Sequence, residues 1–228
     1  MNHRKDLRLA KKKTITTVLF DFDGTIMNTN DVIVQSWQHT FQTVEGKKRP
    51  LPEIVETFGE PLSVTMARIL PQVAVEEGID IYRSYMLKHF HDMIYPFPGM
   101  VEVVRALKQR GYKTGLVTSR LGRTTHLGLK QYELAEHLDC VITADDTEKH
   151  KPDPEPVLIA LRQLESEPEE AIMVGDTRFD IQCARNAGVA SVLVGWQESL
   201  TQEEIRGPEG PDHLVRRAED ILKLVISL

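Results

Sequence analysis

Two carboxylates one residue apart, Asp21 and Asp23, close the apolar run Val18-Leu19-Phe20, and Gly24-Thr25 follows at once. The run predicts a buried strand over residues 15–21, and in an extended backbone residues two apart point to the same side. The carboxyl edge of a parallel sheet opens onto the crevice where α/β proteins bind ligands. Two acids aimed into such a crevice repel each other unless a cation or a shared proton offsets the charge. That arrangement is costly to a fold and useful to chemistry. The competing reading is structural: Asp23 caps a helix and Gly24 makes the turn.

Three more strand ends carry polar groups that suit the same crevice. Leu116-Val117 runs into Thr118-Ser119-Arg120, and a hydroxyl with backbone N–H groups at a strand-to-helix junction can hold phosphate oxygens. Thr118 could equally cap a helix. Lys151 precedes Pro152-Asp153-Pro154, where proline starts a helix and a cation could reach the crevice or remain solvated. Val174-Gly175-Asp176 leads to Asp180, four residues on. These two acids offer hard oxygen ligands for a metal, or else a helix N-cap and a first-turn acid favoured by the helix dipole. Each structural alternative stands alone, but together they require four strand ends to imitate one site by accident.

The elements that must position these groups alternate between short apolar runs and helical patterns, which predicts βαβ units and a parallel sheet. Strands are expected over residues 15–21, 112–118, 140–143, 171–175 and 190–194. Helices are expected over 100–110, closed by Gly111, over 179–187, ending at Gly188, and over 218–227. Residues 28–95 are too long for an ordinary crossover and too regularly patterned for a loop. Val32, Ile33, Trp37, Phe41 and Val44 recur at helical intervals, as do Ile79, Tyr82, Met86 and Phe90. They predict a helical insert rooted beside the acidic pair, bounded by core segments 14–27 and 96–228. Residues 1–13 read as a mobile basic tail.

The chain has 228 residues and a formal net charge of −6, with 28 Lys and Arg against 34 Asp and Glu. It therefore has no broad positive field for nucleic acid, and an anionic ligand needs local cations or a metal. No apolar stretch approaches a membrane span, and the N-terminus lacks the apolar core of a secretion signal. Cys140 and Cys183 lack metal-ligand spacing and read as buried free thiols in a reducing, cytoplasmic setting. A monomer or weak homodimer is expected.

The order D-x-D-G-T, a Thr/Ser strand end, Lys-Pro and G-D-x-x-x-D resembles the haloacid dehalogenase superfamily of phosphatases, from about Thr14 onward. The resemblance implies an α/β fold with a Rossmann-like core, a parallel sheet and a helical cap inserted after the first strand. It implies Asp21 as the nucleophile that takes a phosphoryl group, and Asp23 as general acid and then base. Thr118, with Ser119 and Arg120 beside it, and Lys151 would bind the phosphate substrate. Asp21, Asp176 and the backbone carbonyl of Asp23 would hold Mg²⁺, and Asp180 would support or complete that shell. An acid such as Asp23 and a metal are not needed by the dehalogenase branch.

Residues 20–30 and 151–176 are similar to the inorganic pyrophosphatase branch of this superfamily. Asn28 separates the chain from phosphoglycolate phosphatases, and Thr25 from phosphosugar mutases of the β-phosphoglucomutase type, which remain the alternatives. Thr118-Ser119-Arg120 departs from the Thr-Thr-Lys expected of a pyrophosphatase. Arg120 and the run Lys47-Lys48-Arg49 are the candidates for the leaving phosphate. His89 and His91 read as surface, and Trp37 and Trp196 as packing.

Overall fold

The winding of the sheet reverses at the strand that carries the acidic pair. The computed structural model describes residues 14–197 and 200–228, so the tail expected over 1–13 lies outside the described residues. From its start the chain forms β1 (Thr17–Phe20) and β2 (Met27–Asn28). Four helices follow, α1 (Asn30–Glu45), α2 (Leu51–Val55), α3 (Leu62–Ile69) and α4 (Val75–Met93), before β3 (Tyr95–Pro96). It continues through α5 (Met100–Gln109), β4 (Lys113–Val117), α6 (Gly122–Gln131), β5 (Cys140–Ile142) and α7 (Glu155–Gln163). Then come β6 (Ala171–Gly175), α8 (Arg178–Asn186), β7 (Ala190–Val194), α9 (Gln202–Arg206), β8 (His213–Val215) and α10 (Ala218–Ser227).

Among the described residues, six strands form one sheet in the order β5-β4-β1-β6-β7-β8, and every pairing is parallel. The chain lays β4 and β5 on one side of β1, then returns to lay β6, β7 and β8 on the other. The crevice at such a reversal opens beyond the carboxyl ends of β1 and β6. These two strands are buried throughout, as expected of strands covered on both faces. Alternation sorts their side chains. Val18 and Phe20 join Val104 and Leu107 of α5 and Ile221 of α10. Leu19 faces the opposite way, toward Val157 and Leu161 of α7 and Cys183 and Ala184 of α8. Both cysteines are free and buried.

The first of these two cores runs on without interruption into the helices between β2 and β3, taking in Trp37, Phe41, Met66, Tyr82, Met86 and Phe90. Where that helical segment leaves and rejoins the sheet, β2 and β3 pair as an antiparallel ribbon, Met27 opposite Pro96 and Asn28 opposite Tyr95. Helix α4 packs on α1 and also on α6, so it lies against the element that follows β4. Among the described residues no helix is long and apolar enough to cross a membrane.

Two local expectations change, and one strand is new. The first strand stops at Phe20 rather than at Asp21, because residues 22–27 fold into a tight turn. There Met27 donates to the Phe22 carbonyl and Gly24 to the Met27 carbonyl. The strand β8 has only Val215 buried and was too short to show a pattern. The helix expected at Pro152 starts at Glu155, after Pro154, so Lys151 stands in a turn.

Candidate active site

Asp21 is placed by the sheet. Its N–H donates to the carbonyl of Val174 in β6, which continues the ladder one residue past the strand and fixes the side chain at the reversal point. Lys151 reaches it from the segment after β5: Nζ lies 2.8 Å from Asp21 Oδ1, 2.5 Å from Asp180 Oδ1 and 3.3 Å from the Val117 carbonyl. All three donors of the ammonium are thus spent. Burial alone would push the Lys151 amine down, but Asp180 and Asp21 outweigh it and hold it above its ordinary value. Lys151 is therefore a fixed positive charge at the cavity floor.

Asp180 holds that lysine with one oxygen. Its other oxygen, Oδ2, accepts from the Thr177 N–H at 3.0 Å and from Thr177 Oγ1 at 2.7 Å, forming the box that caps α8. The first-turn role open in the sequence is thus fulfilled, and the same carboxylate also anchors Lys151. Asp176 precedes the cap. Thr25 Oγ1 donates to its Oδ1 at 3.4 Å.

Two glycines make this closeness feasible. A Cβ at Gly24 would fall on the Asp176 carboxylate, and one at Gly175 would fall on the side chain of Asp180. Gly24 also has φ +73°, a conformation that glycine adopts without penalty. Gly24→Ala should therefore displace Asp176 and cost roughly 10²-fold in turnover. Steady-state kinetics check this.

Asp21, Asp176 and Asp180 each offer an oxygen, all within 4.8 Å of one another, and all three are buried. Burial, followed by the like charges around it, raises Asp176 well above its ordinary value. Burial pushes Asp21 from 3.8 up to about 7, against the pull of Lys151 and with the help of Asp180 and Asp23. Three acids share one lysine here, which leaves negative charge that a cation would offset. A donor set made only of oxygens suits a hard divalent ion.

Asp23 sits apart from that cluster, toward the helical segment. Arg120 grips it as a fork, Nε to Oδ2 at 2.8 Å and Nη2 to Oδ1 at 2.7 Å, and Thr29 Oγ1 donates to Oδ1 at 2.6 Å. It caps no helix: the Ncap position of α1 belongs to Thr29. Likewise Thr118 does not cap α6, whose Ncap is Leu121. Its Oγ1 instead accepts the Arg120 N–H at 3.2 Å. Ser119 Oγ is buried without a hydrogen-bond partner among the described residues, a polar atom whose burial is costly unless a ligand supplies the bond.

All eight candidate positions except Asp180 line one cavity of about 480 Å³, and Asp180 stands directly behind Lys151. The far wall comes from the helical segment: Trp37, Tyr82, Arg83 and Met86, with residues 57–61 and the start of α3. Sequence reading missed Arg83, Arg123 and Thr29. Lone arginines and a threonine carry no spacing signal, and only the packing of α4 on α6 brings Arg83 into view. The run Lys47-Lys48-Arg49 does not line this cavity. Arg49 is engaged with Glu45, Glu53 and the Ile69 carbonyl. Trp37 packs on Phe41 and Tyr82 as expected, while Trp196 Nε1 also donates to the Gly24 carbonyl at 3.2 Å.

A parallel sheet with acids at its reversal point defines a class, and the sequence agrees. The pattern of the haloacid dehalogenase-like hydrolases matches residues 18–194. The chain belongs to that family and is a hydrolase. It is 37% identical over 211 residues to Pyrophosphatase PpaX of Halalkalibacterium halodurans, covering 92% of this chain and 97% of that protein. It is 36% identical over 214 residues to Pyrophosphatase PpaX of Bacillus cereus, covering 94% and 98%. A Lactobacillus plantarum structure assigned provisionally as a phosphoglycolate phosphatase superposes with a TM-score of 0.82 at 27% identity, covering 92% and 99%. A haloacid dehalogenase-like family protein of Streptococcus pneumoniae shares the fold, with a TM-score of 0.82 at 24% identity, covering 92% and 98%.

Proposed function

We propose that the protein is a Mg²⁺-dependent phosphohydrolase of the cytoplasm, acting through an aspartyl phosphate on Asp21, with inorganic pyrophosphate as its substrate. The observation that carries this reading is the Lys151 bridge between Asp21 and Asp180, beside Asp176, at the floor of a cavity. It orients one carboxylate and places fixed positive charge where phosphoryl oxygens would lie.

Asp21 attacks phosphorus: an Asp21 Oδ–P bond forms, the P–O bond to the leaving group breaks, and the leaving oxygen keeps the electron pair and takes a proton from Asp23. In the second step Asp23 takes a proton from water as the water oxygen bonds to phosphorus. The Asp21–phosphorus bond breaks, phosphate departs and both aspartates are restored. One difficult displacement becomes two easier ones. Thr118 Oγ1 and the orphaned Ser119 Oγ supply bonds that phosphoryl oxygens need, and Lys151 offsets their charge from its fixed position. Asp21, Asp176 and the Asp23 carbonyl would hold Mg²⁺, with Asp180 supporting them through Lys151. When bound, the metal offsets the carboxylate charge and polarises a phosphoryl oxygen.

Pyrophosphate is favoured by the two PpaX relatives, which cover almost their full length. The second reading, phosphoglycolate hydrolysis, has the Lactobacillus plantarum neighbour behind it. A phosphate-release assay over pyrophosphate, phosphoglycolate and β-glucose 1-phosphate separates them. Pyrophosphate is expected to turn over fastest, EDTA to abolish release and added Mg²⁺ to restore it. Activity that survives EDTA, or faster release from phosphoglycolate, would contradict the metal or the substrate assignment respectively.

A further inference from the structure

Arg120 spends itself on the wrong partner for a resting catalyst. Its guanidinium side chain is 8% exposed, and two of its nitrogens bind both oxygens of Asp23. With Thr29 also donating to Asp23, that carboxylate accepts from three protein donors at the place where a leaving group must meet it. Among the described residues the third nitrogen, Nη1, has as its acceptor the Met86 sulfur at 3.9 Å, a weak one. Phe90 and Phe22 flank the guanidinium at 5.0 Å and 5.8 Å from their ring centroids and fix its position without competing for its N–H groups.

A planar fork of this kind exchanges one bidentate anion for another, a carboxylate for a phosphate, without changing geometry. A neutral alcohol oxygen cannot replace a carboxylate on it. Arg83 from α4 and Arg123 from α6 line the same cavity, and neither is ion-paired among the described residues. The three arginines stand in its wall while the carboxylates of residues 21 and 176 lie at its floor. A phosphoryl donor seated over Asp21 therefore directs its far end toward cationic groups.

We propose that Arg120 is the specificity-determining residue of this site: it selects phosphoryl donors whose leaving group carries its own anionic group. Its guanidinium passes from Asp23 to that anion when substrate binds. The inference rests on the reading that Asp21 attacks phosphorus, and it deepens that reading by naming the substrate class. A donor with a neutral leaving group offers nothing to draw Arg120 away, so Asp23 stays gripped and turnover is slow. If Arg120 were only a tie that positions Asp23, its loss would slow every substrate alike.

The test compares kcat/KM for phosphoglycolate with that for ethyl phosphate, and for pyrophosphate with that for phenyl phosphate, in the wild type, Arg120→Gln and Arg120→Lys with saturating Mg²⁺. Within the first pair, size and leaving-group chemistry are close and the anion differs. The wild type should prefer the anionic member of each pair by about 10²-fold or more, the scale at which a site built for a polar group rejects an analogue lacking it. In Arg120→Gln that preference should fall at least tenfold, mostly through KM, whatever happens to the absolute rates. Arg120→Lys, which keeps the charge but not the fork, should lie between. Preferences unchanged in both variants would overturn the inference. So would a wild type with no preference, which decides the matter even if the Gln variant fails to fold. Wild-type turnover of none of the four compounds would overturn the phosphohydrolase reading and this inference with it, an outcome distinct from turnover without preference.

Discussion

Asp21→Asn should lower phosphate release by roughly 10⁴-fold or more, the scale on which removal of an attacking group acts, while leaving the fold and the Lys151–Asp180 pair in place. The same substitution has a signature in stability. In the metal-free folded protein Asp21 keeps its proton up to about pH 7, against an ordinary value of 3.8. Between those values the folded state binds more protons than the unfolded chain, so the contribution of Asp21 makes stability fall as pH rises through that window. Asparagine has no such proton to lose. Without metal, Asp21→Asn should therefore show a flatter pH dependence between about pH 4 and pH 7, and melt a few degrees above the wild type at pH 8, since about 1 kcal/mol moves Tm by ~2–4 °C in a chain of this size. Thermal unfolding in EDTA across that range checks it. A variant less stable than the wild type at pH 8 would show that the Lys151 bond outweighs the desolvation of the carboxylate.

Lys151→Met should be the most damaging single change to fold and activity together. It strips the shared cation from Asp21 and Asp180, both buried, and breaking a buried pair in this way costs about 3–5 kcal/mol. Part of that loss is recovered if the acids take up protons. Turnover should fall on the order of 10³-fold, because fixed charge aimed at the phosphoryl oxygens is lost. A divalent cation then becomes the remaining countercharge, so Mg²⁺ should raise the Tm of Lys151→Met more than that of the wild type. Urea unfolding with and without Mg²⁺ reads both effects. An equal magnesium response in the two proteins would contradict the view that lysine and metal offset the same carboxylates.

How much of this was legible in the sequence depends on the range of the interaction. Strands β1, β4, β6 and β7 are short apolar runs that end in turn-forming or polar residues, and burial on both faces leaves them no alternating pattern to confuse. Their order was not legible. Parallel neighbours such as β1 and β6 are brought together by crossovers, and nothing in Ala171–Gly175 says that it lies beside Thr17–Phe20. The positions of Asp21, Lys151 and Asp176 around one cavity follow from strand ends that share an edge, which is why residue type at a strand end was informative. Asp23 does not share an extended backbone with Asp21; it reaches the cavity through the turn of residues 22–27.

The grip of Arg120 on Asp23 spans 97 residues and joins the turns that follow the neighbouring strands β1 and β4, whose pairing no local signal encodes. Asp180 shows a different limit. Its capping role and its hold on Lys151 both use a carboxylate at the third position of a helix, so sequence alone could not say which applied, and the structure shows that both do.

The measurement closest to the central claim is to trap the covalent intermediate. Acid quench of the wild type during turnover of pyrophosphate, followed by borohydride reduction and peptide mass spectrometry, should convert residue 21 from aspartate to homoserine, since hydride reduces an acyl phosphate and spares a free carboxylate. Asp21→Asn carried through the same procedure should show no such conversion. Homoserine at another aspartate, or none anywhere while phosphate is being released, would contradict an attack on phosphorus by Asp21.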